Sequence, residues 1–544
     1  MYDLIIVGAG TAGAVLADRL SRDGRQRVLL LDAGGYPSSP FIKIPAGFAK
    51  LFGSRFDWGY VSRHTRGGGR DIHVPRGKML GGSANMNAQI HQWCHPEDFD
   101  GWQRGGADGW SWRHVRGVFE AQEALRSVEL HGRGRAGPMK VTPLPDPHPL
   151  SRAFVEAFNR SASTRGHSYN GGEYRGAWLS EIAQLDGRRY SVFDAYLKPA
   201  MRRTNLHVVT GAEVSRVILE GGRASAVEVV EGKKSARYAC SKGVILAAGA
   251  IGSPLVLLRS GIGAASELSA LGIPISVDSP EVGRNLQDHP LVPVVFETKD
   301  RDTFKNAERL PSLLRYLFTR KGMLASNAVE AIAFAASSKA RSSAPDIELI
   351  FTPLEWRAQG TEPPSIHAIT IGAVVAKPRA QGSVSLQSSG GVQNVKIDLN
   401  LLGDKEGQDL EIMQEAVELA FQVAGRAPLA PRLRAEGTCR SPPSSTVWIH
   451  ENIQTVYHPC GTCRMGSDPT AVVDASLRVR GARGLWIADA SIFPTIPRGH
   501  PNAVVAMVAE RAAGFVISAD LESWPTAPDI SRSLQRVDHV LQAL

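Results

Sequence analysis

Gly8-Ala9-Gly10-Thr11-Ala12-Gly13 sets three glycines in the spacing G-x-G-x-x-G, and Asp32 follows nineteen residues after the last of them. Such a set can hold a dinucleotide. Gly8 permits a tight turn, Gly10 lets a pyrophosphate approach the backbone, and Gly13 lets a helix pack close to a strand. Thr11 and Ala12 fall at the start of that helix, where free N–H groups and the dipole favour phosphate. Asp32, with Ala33 beside it, can accept hydrogen bonds from an adenosine ribose, and its charge disfavours the 2′-phosphate of NADP. A second pattern is Cys460-Gly461-Thr462-Cys463. A C-x-x-C can be a redox dithiol or half of a metal site. No second C-x-x-C accompanies it, so structural cysteines and no metal are expected.

The elements that must position the glycine loop are legible around it. Leu4-Ile5-Ile6-Val7 reads as a strand buried on both faces, 14–21 as a helix, and 27–31 as a second buried strand ending at Asp32. This is one βαβ unit, and by itself it does not separate FAD from NAD. From there to about residue 115 the chain is rich in glycine and aromatics and reads as long functional excursions. Five prolines between 138 and 149 predict a boundary or a rigid connector. Segments 206–209, 213–219, 224–230 and 243–247 read as strands returning to the first sheet. Segments 366–375 and 382–386 and a helix around 409–423 read as a separate layer. A buried strand at 485–488 and a helix over 502–515 close the series.

Bulk properties narrow the class. With 544 residues, the chain predicts two or three domains, or one with large insertions. Hydrophobic residues at 43% and charged residues at 21% are the composition of a globular protein. The net charge is +9 and the pI about 9.3. The basic residues come in ones and twos, as in Arg202-Arg203 and Lys233-Lys234, which argues against nucleic acid and leaves an anionic substrate or an anionic membrane surface open. Five cysteines, an odd and sparse number, argue against a secreted disulfide scaffold. No apolar stretch of about 18 residues is free of charges and glycines, so no transmembrane segment is expected. No basic leader precedes Leu4, so no signal peptide is expected either. A cytoplasmic location follows as the expectation, with peripheral contact at a membrane left open.

Four further blocks carry a family resemblance. Gly77-Lys78-Met79-Leu80-Gly81-Gly82-Ser83-Ala84-Asn85-Met86-Asn87 resembles the first signature of the glucose–methanol–choline (GMC) oxidoreductases. The block from Gly249-Ala250-Ile251-Gly252-Ser253-Pro254 to Ser260-Gly261-Ile262-Gly263 is similar to their second. His458-Pro459-Cys460-Gly461-Thr462-Cys463 and Asp489-Ala490-Ser491 through His500-Pro501-Asn502 are similar to the family's C-terminal pieces. The blocks occur in family order along nearly the whole chain.

The resemblance implies an α/β protein. A Rossmann-like FAD-binding domain would be assembled from 1–150, 201–310 and 451–544. An α+β substrate domain built on an antiparallel sheet would come from 151–200 and 311–450. It implies FAD as cofactor, held by the glycine loop and by Gly77, Gly81, Gly82, Ser83, Asn87, Ala248, Asp489, Ala490, Pro501 and Asn502. Val214 matches a position where the family's backbone meets adenine, and it reads equally as a plain strand residue. Ala84 departs from the family's small hydroxyl or glycine. Met86 stands near the point where some family oxidases attach FAD through a histidine, so noncovalent FAD is expected.

The implied reaction is oxidation of a small-molecule alcohol to an aldehyde or ketone. His458 would be the general base, and His500 would stabilise the developing alkoxide. Oxygen, a quinone or a redox protein would take the electrons. The alternative the family offers is a non-redox enzyme of hydroxynitrile lyase type that uses the same histidines. Trp102, Trp110 and Trp112 read as packing, and Trp58 as a residue near the cofactor without a catalytic role.

Overall fold

Leu4-Ile5-Ile6-Val7 has no polar side chain to turn toward water, and it becomes the middle of a parallel sheet. In the computed structural model the strand order is Leu206–Thr210, Val28–Asp32, Tyr2–Val7, Lys234–Leu246 and Leu485–Ile487, every neighbour parallel. Ile5 sits between Leu29 and Val244, and all three are fully buried. Each such side chain contributes about 1.5–3 kcal/mol by leaving water. The first half of Lys234–Leu246 continues outward as an antiparallel hairpin with Arg223–Glu231, which in turn pairs with Glu213–Glu220. The structure describes residues 1–519 except 65, 67–68, 128–129, 131, 161–167, 171–173, 232–233, 390–391 and 435–444. Lys233, Cys439 and the stretch 520–544 of the expected third FAD-domain segment lie outside the described residues.

Two helices cover one face of this sheet, Thr11–Leu20 and Asn502–Ala519, packed against each other. The first begins earlier than the expected residue 14, because the turn closes at Gly10, which caps it. The last helix is long and apolar enough to cross a membrane by length and composition. Its sequence nevertheless carries Glu510 and Arg511, and the protein satisfies both. Arg19 Nε donates to Glu510 Oε2 at 2.6 Å and Tyr196 donates to its other oxygen at 3.0 Å. Arg511 lies 4.6 Å over the Trp110 ring. With most of its length buried, it is a core helix of this fold.

The second sheet is antiparallel, in the order Gln454–Thr455, Pro290–Glu297, Ala368–Val375, Ile347–Thr352, Ala331–Ala335 and Gly176–Leu179. Side chains alternate between its faces. Val292, Val294, Leu349, Phe351, Ile369 and Ile371 are all fully buried, and the helix Gln408–Ala424 packs on this sheet. The opposite set, Leu291, Pro293, Ile350, Thr352, Thr370 and Gly372, faces a cavity. Pro290–Glu297 and Gln454–Thr455 belong to this sheet by pairing, although they lie outside the segments 151–200 and 311–450. The protein is thus mixed α/β, a Rossmann-type nucleotide domain joined to an antiparallel-sheet layer.

Two expectations are corrected. The stretch to residue 115 is not all excursion: it holds the hairpin Tyr60–His64 and Arg70–Val74 and the helix Pro96–Arg104, and the helix Trp112–Gln122 begins in it. The prolines between 138 and 149 bound a strand, Met139–Pro143, and open a helix, Pro149–Asn159, rather than forming a connector. Proline suits the first helical turn because its missing N–H has no partner there anyway.

Candidate active site

The glycine loop is built by collisions that any side chain would cause. Gly8 has φ +97°, and a Cβ there would lie 2.6 Å from the Ala247 carbonyl oxygen. A Cβ on Gly13 would lie 1.8 Å from the Gly8 carbonyl oxygen, so Gly13 serves the contact of helix on turn and does not face the cavity. Gly10 has open space before it, while Gly8, Gly10, Thr11 and Ala12 line one end of a cavity of about 450 Å³. Asp32 and Ala33 line it too. The Asp32 carboxylate accepts from Ala9 N–H at 2.7 Å and Gly34 N–H at 2.8 Å. Burial raises its pKa, and those two donors oppose the rise.

The block 77–87 wraps the same cavity. Gly82 has φ +51°, and a Cβ there would lie 2.8 Å from Gly10 Cα, so two glycine turns meet backbone to backbone. Gly77, Gly82, Ser83 and Asn87 line the cavity, with Met86 between them. Gly81 does not line it. It has φ +90°, donates its N–H to the Ala9 carbonyl at 2.8 Å, and is closed in by Asn85 and Phe193. Its expected cofactor contact is therefore replaced by a loop-to-loop contact. The Asn87 carbonyl oxygen accepts from the buried Arg189 at 2.7 Å, which leaves its amide N–H₂ for a ligand.

Val214, Ala248, Asp489, Ala490, Pro501 and Asn502 also line the cavity. Asp489 accepts from Gly249 N–H at 2.8 Å and Ser491 N–H at 2.8 Å, pinning two turns beyond the strand ends. Thr11 donates its hydroxyl to the Asn502 side-chain oxygen at 2.8 Å. The helices starting at Thr11 and Asn502 thus present their N-termini to one space, an arrangement suited to anionic groups. The residues present fit an FAD: glycine turns a Cβ would fill, a ribose-side carboxylate, and helix N-termini for the phosphates.

His458 and His500 meet at the far end of the cavity, with ring centroids 5.0 Å apart and planes at 86°. Each is held from behind. His458 Nδ1 lies 3.0 Å from His289 Nδ1, and His289 Nε2 lies 3.1 Å from the Ala376 carbonyl oxygen. A carbonyl only accepts, so the His289 proton is on Nε2. Burial lowers the His289 pKa to about 3, so its ring is neutral and its Nδ1 is an acceptor. His458 Nδ1–H must be the donor, and His458 Nε2 carries the lone pair. Burial, with His500, His289 and Arg76 nearby, holds the His458 pKa well below 6.5. Asp288 fixes the spacing of the two histidines, accepting from His458 N–H at 2.9 Å and His289 N–H at 2.8 Å. His500 Nε2 lies 3.0 Å from Glu348 Oε1, and its backbone N–H donates to Gln92 Oε1 at 2.9 Å. Glu348 is fully buried, with no partner among the described residues at Oε2.

Reading the sequence missed His289, Asp288 and Glu348. Charged residues within or at the mouth of apolar strands were the available signal: Asp288-His289 precede Pro290–Glu297, and Glu348 interrupts Ile347–Thr352. Cys460 and Cys463 are buried and free, and burial raises both thiols far from reactivity. Among the described residues no cluster of His, Cys, Asp and Glu could hold a metal. Trp102 and Trp110 are buried and donate to the Thr495 and Ala475 carbonyls, each at 2.9 Å. Trp58 lines the cavity, stacked on Tyr60 at 5.7 Å.

The wall of the cavity on the antiparallel-sheet side, at the histidine end, is largely apolar. Phe48, Phe52, Leu291, Ile350 and Trp356 line it; of the buried threonines beside them, Thr370 and Thr455 have their hydroxyls engaged, and Thr352 has no partner among the described residues. The lining carboxylates, Asp32, Glu213 and Asp489, all sit at the parallel-sheet end.

Comparison with known proteins identifies the family. The family profile described as GMC oxidoreductase matches residues 2–291, and a second of the same description matches 378–509. An oxygen-dependent choline dehydrogenase of Sinorhizobium fredii is 35% identical over 95% of this chain and 95% of its own length. An alcohol dehydrogenase [acceptor] of Pseudomonas putida is 34% identical over 95% of this chain and 96% of its own. The crystal structure of pyridoxine 4-oxidase from Mesorbium loti superposes with a TM-score of 0.84, at 33% identity, over 96% of this chain and 100% of that one.

Proposed function

Because this chain belongs to the GMC oxidoreductase family, we propose that it oxidises a neutral, largely apolar alcohol to the aldehyde or ketone. FAD is the cofactor of the family, and when bound it supplies the hydride acceptor. The chain's own residues do the rest. Gly8, Gly10, Thr11, Ala12, Asp32 and Ala33 hold the adenosine and pyrophosphate end. Gly77, Gly82, Ser83, Asn87, Val214, Ala248, Asp489, Ala490, Pro501 and Asn502 close around the remainder, with Gly13 and Gly81 bracing the turns. Attachment is noncovalent, because Met86 stands where an attaching histidine would be needed. Acid precipitation should therefore release the flavin from the protein.

The observation that carries the reading is the neutral His458, with its lone pair on Nε2, in the same cavity as the glycine loop. Nε2 accepts the hydroxyl proton as the C–H bond breaks. His500 donates Nε2–H to Glu348, which holds the ring beside the same oxygen; steadying that oxygen's developing charge takes a second proton, on His500 Nδ1. Apolar walls exclude water and bind the alcohol's carbon skeleton. Relatives named choline dehydrogenase, alcohol dehydrogenase and pyridoxine oxidase support an alcohol substrate.

The test is an anaerobic screen of alcohols for bleaching of the flavin, followed by admission of oxygen. Bleaching supports the oxidation. Cyanohydrin cleavage without bleaching by any alcohol would overturn it in favour of a lyase. Fast reoxidation with peroxide identifies oxygen as acceptor, and slow reoxidation a quinone or redox protein.

A further inference from the structure

The helix Leu310–Thr319 turns its apolar stripe outward. Leu310, Leu313, Leu314, Leu317 and Phe318 follow the i, i+3, i+4, i+7, i+8 pattern that normally faces a core. Here Tyr316 is the helix's buried residue, and its hydroxyl donates to the Gly187 carbonyl at 3.1 Å. The stripe is exposed, with Leu310 at 66%, Leu317 at 58% and Phe318 at 78%. A contiguous apolar surface of this kind marks an interaction site.

Charge shows what covers it. Residues 301–321 carry Arg301, Lys305, Arg309, Arg315, Arg320 and Lys321, against two acids, Asp302 and Glu308. Glu308 is paired with Lys50 at 2.7 Å and Arg315 with Asp146 at 2.8 Å, both partners lying outside this segment. Arg309 and Lys321 have no ion-pair partner among the described residues. A second copy of the chain would bring two such cationic rims together around one apolar patch, a repulsive arrangement. An anionic bilayer meets both demands, taking the stripe among its acyl chains and the cations at its headgroups. The helix has ten residues, too few to span, so it would lie in the interface.

We propose that the helix Leu310–Thr319 docks this protein on an anionic lipid surface. The docked face lies one packing layer from the cavity. Tyr316 clusters with Leu324 and Ala325, with Ala307 packed against them. Ala307 also packs in the cluster of Phe48, Phe52 and Trp356, whose side chains line the cavity.

The test is co-sedimentation of the full-length, flavin-loaded protein with vesicles of phosphatidylcholine alone or mixed with phosphatidylglycerol. Three proteins are compared: wild type, Leu314→Ser/Leu317→Ser/Phe318→Ser, and Arg309→Gln/Lys321→Gln. Flavin absorbance shows that each remains folded, and light scattering reports self-association. The wild type is expected to partition onto the mixed vesicles and to be released by salt. Either variant should partition about tenfold less or weaker still. Absence of partitioning, or equal partitioning of the variants, overturns the proposal. Self-association that the apolar variant abolishes, without vesicle binding, would assign the stripe to a second copy of the chain.

Discussion

His289 Nδ1 lies 3.0 Å from His458 Nδ1, and that contact decides which nitrogen of His458 faces the substrate as a base. Replacing His289 by Ala removes the acceptor, and His458 can then place its proton on Nε2. We expect kcat to fall by about 100-fold, within the range of lost general-base catalysis, with flavin content unchanged. His289→Asn keeps an acceptor and should lose less than about tenfold. Steady-state kinetics with a flavin-bleaching alcohol checks both. Equal loss in the two variants would show that bulk rather than tautomer matters.

Glu348 holds His500 by one oxygen, at 3.0 Å. Glu348→Gln keeps an acceptor at that point while removing the charge, whereas Glu348→Ala frees the ring. The rate of flavin reduction under single-turnover conditions should drop less in the glutamine variant, by about tenfold or less, than in the alanine variant, at about 100-fold. A larger loss in Glu348→Gln would show that the charge itself is required.

Choline should be a poor substrate despite the relatives that oxidise it. A quaternary ammonium needs a carboxylate or a closed aromatic cage; the carboxylates lining this cavity lie at its other end, and Glu348, at the histidine end, is taken up by His500. We expect kcat/KM for a neutral aromatic or medium-chain alcohol to exceed that for choline by at least about 100-fold, a difference of about 2.7 kcal/mol. Comparable values would show that Glu348, through its Oε2, which has no partner among the described residues, takes the cation.

Acid should destabilise the protein through its buried histidines. His289 has its pKa lowered from 6.5 to about 3, and His64 and His95 to about 4. Between the lowered value and 6.5 the unfolded chain binds the proton and the folded one does not, so stability present above pH 6.5 is lost as pH falls through that window. Asp288 and Asp409, raised from 3.8 to about 6, act in the opposite sense and soften the fall. Thermal melts from pH 7 downward should show Tm decreasing below pH 6.5, with a shallower slope in His289→Asn. An identical slope would locate the sensitivity elsewhere.

The nucleotide end of the site was legible because its physics is local. The sharp turn at Gly8, the helix start at Thr11 and the strand end at Asp32 are consecutive in the chain, and spacing alone predicts them. The His458–His500 pair required a family resemblance, since the residues sit in separate segments that only the folded sheets bring together. His289 and Glu348 were illegible as partners, because a polar residue in or beside an apolar strand announces burial without saying what it faces. Gly81 shows the converse limit. A glycine is demanded there by φ and crowding, yet the crowding comes from the protein's own loops.

The contacts Thr11–Asn502 and Arg19–Glu510 fasten the helix that follows the glycine loop to the last helix described. On a ribosome the two are made at opposite ends of the job. A nascent chain carrying only its first segments has the phosphate-binding turn but lacks the helix that closes it and the strand Leu485–Ile487 that completes its sheet beyond Lys234–Leu246. Cofactor loading is in that sense a late event in the life of this polypeptide, and chains truncated before residue 502 should emerge from synthesis colourless.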